Sequence, residues 1–463
     1  MLFTKNKLQY ISLFPGQGKT NLMINIIKNH TEQQYIVVSP TKQLSEQIFS
    51  SIGEGKVLNS DGNNVDLLET IQKELSSTNH RVIYITDKMF YRVDIASLKN
   101  WNVFLDDCVD YYSIFNDVIS DVDRDKVTPI YDTIFERINS FGNYVNVCFR
   151  EGDFSGATLK IKSDFKSLEY FHNIVINKDA FVDAERITAI GYYDLERYAS
   201  NGINMVYMAN NFTDSLIYKR YKDLFVEYQH GIELDTDNVK RVEVYYFSKK
   251  PLTKTRIQAE ISNHRNTGSE TFMEKVSKWI DANLSDYYYT ANEAFREYWK
   301  LDSDKYVKPN QRGMNNLMDK TVCVWLATMK NDLYVSKVLE EVLGHDAQEV
   351  LKQQEYEVMN QLLYRSNLRD YGSEAVIKLY CFDENQAYSI RGASQYQYID
   401  VGVNFEDKRT SSVPHNVRDA FGKWLKRGKR NLDDVRKWLN KKELDSTQKV
   451  ELYNFYESKM KAA

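Results

Sequence analysis

The stretch that most constrains this chain is Tyr10 to Thr20, YISLFPGQGKT. Tyr10 to Phe14 is an apolar run that reads as a short buried strand. Pro15-Gly16 breaks it, and Gly18-Lys19-Thr20 closes the turn. Asn21 to Asn29 then carries Leu22, Met23, Ile26 and Ile27 at helical spacing. A strand, a glycine-containing turn and a helix arrange backbone N–H groups around a phosphate. On that reading Pro15, Gly16, Gln17 and Gly18 wrap the phosphates, Lys19 reaches the outer ones, and the Thr20 hydroxyl holds Mg²⁺. The strict pattern has glycine where this chain has Leu13.

Further strands follow at a regular pace. Gln34 to Thr41 is a buried strand stopped at Pro40, with Thr41 either a helix cap or a contact for a phosphate backbone. Arg81 to Thr86 is a third and Trp101 to Asp107 a fourth, ending in the carboxylates Asp106 and Asp107. Paired acids after a strand suit metal holding by Asp106 and water activation by Asp107. Strands alternating with helices predict a parallel α/β sheet with its site at the strand C-termini. Composition agrees with a well-packed chain of two or three domains: 463 residues, 33 Tyr and 22 Phe. A net charge of −4 confines any surface for nucleic acid to a local patch. The four scattered cysteines, Cys108, Cys148, Cys323 and Cys381, indicate neither a zinc site nor a disulfide framework and point to a reduced, cytoplasmic setting. No run of 18 apolar residues and no leader stands out, so no membrane is expected.

FPGQGKT, VVSPTKQL, VIYIT and VFLDDC, in this order, resemble motifs I, Ia, Ib/Ic and II of superfamily 2 helicases. Asp107 stands where that family has Glu. Asn204 to Asn211 is similar to motif III, with Ala209 kept. The resemblance extends to a second module. Asp286 to Asn292, a strand ending at Thr290-Ala291-Asn292, resembles motif IV, Gln311 to Leu317 motif V, and Gln361 to Arg369 motif VI, with Tyr364 where Gly is usual. It implies two RecA-like parallel-sheet domains that share ATP and Mg²⁺. Arg365 and Arg369, four apart in a helix-like region, would project from one helical face toward the γ-phosphate beside Gln361. Gly313 would touch the nucleotide, and Thr41, Thr86, Thr290, Arg312 and Asn315 the nucleic-acid backbone. The compact chain and the motif variants look like helicases encoded by bacteriophages. That implies DNA rather than RNA, replication or recombination as the task, replication proteins as partners, and the host cytoplasm.

The expected boundaries are 1–222 for the first domain, 223–400 for the second and 401–463 for a basic helical extension. Within the first, an insertion covers about 113–200. There Ile114 to Ser140 reads as helical, and Tyr144 to Phe149, Thr158 to Lys162 and Ile174 to Ile176 as strands. The insertion clamps nucleic acid, binds a partner or only packs; its residues do not distinguish these. Lys423 to Arg430 makes the extension basic, while Trp424 and Trp438 are expected in its core.

Overall fold

The computed structural model describes residues 7–59, 67–77, 79–118, 131–152, 154, 156–181, 186–232, 237–309 and 317–403, with parts of 413–456. The chain divides into two compact units, 1–402 and 403–463.

The first unit contains three sheets. Strands β1 (Leu8–Ser12), β2 (Gln34–Ser39), β3 (Lys56–Val57), β4 (Val82–Thr86) and β5 (Trp101–Asp106) come first. An inserted group follows: β6 (Tyr112–Val118), β7 (Phe135–Phe141), β8 (Tyr144–Phe149), β9 (Asn173–Asn177) and β10 (Arg186–Tyr192). The chain then returns with β11 (Asn204–Ala209) and β12 (Phe225–Glu227). The first sheet is parallel throughout, in the order β12-β1-β11-β5-β2-β4-β3. Its strands β1, β2, β4, β5 and β11 are buried over almost their whole length because both faces are covered. In β2, Tyr35 and Val37 join one core while Ile36 and Val38 join the core on the opposite face.

A second parallel sheet consists of β13 (Val242–Ser248), β14 (Tyr288–Ala291), β15 (Val322–Leu326), β16 (Ile377–Asp383) and β17 (Gln395–Tyr398), ordered β14-β15-β16-β13-β17. Two parallel α/β sheets match the expected fold class. Each of the two sheets marks one lobe of the unit.

The insertion departs from the expectation. It is a five-stranded antiparallel sheet, β6-β10-β9-β8-β7. Tyr112–Val118 and Phe135–Phe141 are strands, not parts of a helix, and Thr158 to Lys162, expected as a strand, lies within the helix Gly156–Asp164. In β7 every residue after Phe135 is exposed, so FERINSF lacks the apolar alternation that marks a strand.

One helical rod joins the two lobes. Between β15 and β16 the chain makes a helix from Leu333 that turns over at Gly344, then a continuous helix from Ala347 to Leu363. Val338, Leu339, Leu343 and Val350 are buried in the core of the first sheet. Met359, Leu362 and Leu363, at the far end of the same rod, are buried in the core of the second. Between these ends Lys352–Glu357 is wound as π-helix, a form that concentrates at functional sites.

In the second unit, helices His415–Lys426 and Leu432–Asn440 pack around Phe421, Val435 and Leu439. Trp424 and Trp438 lie 5.9 Å apart and pack against this core, as expected. Among the described residues no helix is long and apolar enough to cross a membrane.

Candidate functional site

Topology places the chemistry-bearing residues together. Strands β1, β11 and β5 are neighbours and parallel, so the turn after Ser12, Asn210-Asn211 and Asp106-Asp107 all leave the same sheet edge side by side. The turn after β1 folds on itself. Gln17 N donates to Phe14 O at 3.2 Å, and Phe14 N donates to Gln17 Oε1 at 3.1 Å. Gly16 and Gly18 both have φ of +88°, a conformation that admits glycine at little cost. Gly18 then caps the helix Lys19–Asn29, whose N-terminus is suited to an anion. Lys19 is buried and donates to Leu13 O at 2.8 Å across the loop, holding a cation where phosphates would sit.

Thr20 Oγ1 donates to Asp106 Oδ2 at 3.0 Å, which joins the two expected Mg²⁺-holding groups. Asp106 is 3 % exposed. Burial, together with the neighbouring Asp107 charge, pushes its carboxyl up to about 7, against the opposing pull of Lys19. A divalent ion would reverse that. Among the described residues no cluster of three metal-ligating side chains exists. Asp107 (φ +55°) and Asn211 (φ +45°), like Lys300 (φ +48°) in the second lobe, have left-handed backbone, which Asp and Asn adopt more readily than other non-glycine residues.

The second lobe meets this loop directly. A Cβ placed on Gly16 would lie 3.0 Å from Arg369 Cγ and 3.1 Å from the Tyr371 ring. Tyr371 Oη donates to Pro15 O at 3.0 Å. The Phe14 and Tyr364 rings lie parallel, 5° apart in plane, with centroids separated by 6.3 Å. Arg369 therefore approaches the loop as expected, but not from a helical face shared with Arg365. The helix ends at Leu363, and Ser366 caps a separate turn, Asn367–Arg369. Arg365 lies close enough to Tyr288 in β14 for its charge to oppose the upward shift that burial imposes on that hydroxyl. The four-residue spacing is thus not an i, i+4 pair.

Two residues not anticipated from sequence hold the Arg369 turn in place. Arg241 donates to the carbonyls of Ser373, Asn367 and Asp370 at 2.6, 3.1 and 3.1 Å. Asn238 donates to Leu368 O. Scattered polar residues before a strand carry no motif, so nothing local marks them.

Gln361 faces the cleft and donates to Glu357 Oε1 at 3.1 Å. Of the expected nucleic-acid contacts, Thr41 is a cap, accepting from Leu44 N at 3.3 Å. Thr86 ends β4, half-buried, and precedes the helix Asp87–Phe90. Thr290 does not fit its expected role. It is 0 % exposed inside β14, whose four residues are all buried, so neither face of the strand offers it to a ligand. Arg312, Gly313 and Asn315 lie outside the described residues.

No family model and no curated protein matches this sequence. Solved structures of similar fold include S. tokodaii Xpd4, at TM-score 0.48 and 9 % identity over 85 % of this chain and 96 % of that one. An XPD helicase matches at TM-score 0.46 and 10 % identity over the same shares, 85 % and 96 %. At scores below 0.5 these likenesses carry no assignment, so the roles of the residues rest on the geometry above.

Proposed function

We propose that this chain is an ATP-driven motor on nucleic acid, a helicase or translocase whose two lobes close on one triphosphate. The observation that carries this reading is the contact between lobes at the glycine loop, with Arg369 and Tyr371 against Pro15-Gly16. A solitary nucleotide-holding lobe would need no such partner. Mg²⁺ and ATP fit the residues present: Lys19 for the outer phosphates, Thr20 and Asp106 for the ion, and the N–H groups of Gly16 to Thr20 for the wrap. Bound Mg²⁺ would neutralise charge between the β- and γ-phosphates. Asp107 orients the attacking water, Gln361 borders it, and Arg369 supplies positive charge to the γ-phosphate from the second lobe. We assign that role to Arg369 ahead of Arg365, whose charge is felt at Tyr288.

The finer reading is DNA as the track, with replication or recombination of the kind bacteriophage helicases serve, and replication proteins as partners. Steady-state ATPase assays against a panel of single-stranded DNA and RNA test it. Stimulation by nucleic acid, lost in Lys19→Ala, supports a motor, and a preference for DNA supports the finer reading. A second reading is a nucleotide-binding regulatory module with weak turnover. The shorter carboxylate at Asp107 favours it, and tight ATP binding without stimulated hydrolysis would establish it. A fork-unwinding assay separates a helicase from a translocase that only remodels protein–nucleic-acid complexes.

A further inference from the structure

Glu357 belongs to none of the motifs described above, yet it sits in the cleft beside them. It closes the π-helical turn Lys352–Glu357 in the middle of the rod that joins the lobes. Its Oε1 accepts from Asn210 Nδ2 at 2.7 Å and from Gln361 Nε2 at 3.1 Å, and its Oε2 accepts from Asn211 Nδ2 at 3.3 Å. The donors come from the end of β11 in the first lobe and from the rod itself. All three are neutral amides, so the carboxylate is fixed in direction without an ion pair. Glu357 and Asp107 line the same cavity of about 1010 Å³, along with Phe14, Gln361 and Tyr364. Other charged residues around it are Asp214, Lys240, Lys330, Lys352 and Arg391. Burial and the Asp107 charge push Glu357 up to about 7, into the range where a carboxylate can take a proton at neutral pH. Beside it, Asn210 Oδ1 is buried with no hydrogen-bond partner among the described residues. An orphaned acceptor next to a held carboxylate leaves room for one more donor.

A glutamine in place of Glu357 would fill the same volume without the cost of burying a charge. The carboxylate therefore calls for a chemical reason, and the short side chain of Asp107 supplies one. We propose that Glu357, presented from the middle of the rod that joins the lobes, is the proton acceptor for the hydrolytic water, completing a base that Asp107 alone is too short to make. This inference rests on the ATP-hydrolysing reading of the cleft. Asp107 accepts one hydrogen of the water, and Glu357, with Asn210 Oδ1 beside it, accepts the other. The water oxygen forms a bond to the γ-phosphorus, and the bond from that phosphorus to the β,γ-bridging oxygen breaks with its electron pair leaving on ADP. The water proton passes to the Glu357 carboxylate and is released to solvent when the cleft opens.

The test compares wild type with Glu357→Gln and Glu357→Asp at saturating ATP and nucleic acid. The expected loss for E357Q is about a hundredfold in kcat or more. Affinity for a fluorescent ATP analogue should stay within about threefold, a shift worth under ~1 kcal/mol. The acid limb of the kcat–pH profile should disappear. The second variant keeps a carboxylate on a side chain one methylene shorter, so E357D should retain the limb at reduced kcat. E357Q turning over at the wild-type rate overturns the proposal. So does reduced kcat with an unchanged acid limb, which would mark a residue that only positions the rod. If E357Q does not fold, E357D decides: a wild-type rate and profile overturns the proposal, and a reduced rate that keeps the limb supports it. A wild-type chain that binds no nucleotide overturns the site reading together with this proposal. Wild-type hydrolysis that E357Q leaves intact overturns only the role of Glu357.

Discussion

The Tyr371 hydroxyl donates to the Pro15 carbonyl at 3.0 Å although 356 positions separate the two residues. The bond ties the Pro15–Gly18 turn of one lobe to the turn that carries Arg369 in the other. It makes the state of the loop and the approach of the second lobe one event.

Arg369→Ala should leave nucleotide binding nearly intact while lowering stimulated kcat by about 10³-fold or more, the scale of an arginine that neutralises a transferring phosphoryl group. Tyr371→Phe removes only a hydroxyl, so a milder change is expected, worth about 1 kcal/mol of interlobe attachment. Single-turnover hydrolysis and analogue binding, measured side by side, check both.

Arg241 acts through the turn it holds. Arg241→Ala strips hydrogen bonds from three carbonyls around Asn367–Ser373. It should lower kcat less than Arg369→Ala does, with hydrogen exchange rising first across residues 366–375. An equal loss in both variants with no change in exchange would contradict a positioning role.

Stability should depend on pH through Glu357. Its folded-state carboxyl titrates near 7, above the ordinary range of about 4.3 expected in the unfolded chain. The protonated form is therefore favoured by folding. Its stabilising contribution is complete below about 4.3 and is lost as pH rises through 7. Asp106, also raised to about 7, acts in the same direction while no metal is bound. Melting curves in EDTA should show wild type losing stability relative to E357Q between these limits. A constant difference across that range would contradict the assignment. Adding Mg²⁺ and ATP should abolish the Asp106 contribution, since an ion holds that carboxylate ionised.

Leu339→Ala tests whether the segment after β15 is anchored in the first lobe. Leu339 is fully buried in that core, so the cavity should cost about 2–5 kcal/mol. Chemical denaturation reads the loss. The same substitution should increase exchange in both the Leu333–Leu343 segment and the first sheet.

The parallel sheets were legible because strands covered on both faces are written as unbroken apolar runs, YIVV in β2 and VIYI in β4, each stopped by a polar residue. Lys19, Thr20 and Asp106 could be placed together for the same reason: each is tied to a strand end. The insertion was not legible where its strands expose most of their residues, as Glu136 and Arg137 do in β7. Arg365 and Arg369 were misjudged because spacing alone cannot show that Ser366 caps a new turn between them. Thr290 looked like a polar strand end, but β14 is buried on both faces. Glu357, in the run QQEYEVMNQ, resembles any polar helix face, and its partners Asn210 and Asn211 lie almost 150 residues upstream.

The rod from Ala347 to Leu363 has one end sunk in each lobe. Neither lobe can swing away as a free body, because parting them would pull apolar side chains out into water. Whatever travel the cleft makes must be absorbed as flexure along the rod, and its loosely wound middle, Lys352–Glu357, is the natural place to bend. Any movement of one lobe against the other is then limited by how far that coil can give before either buried end lets go.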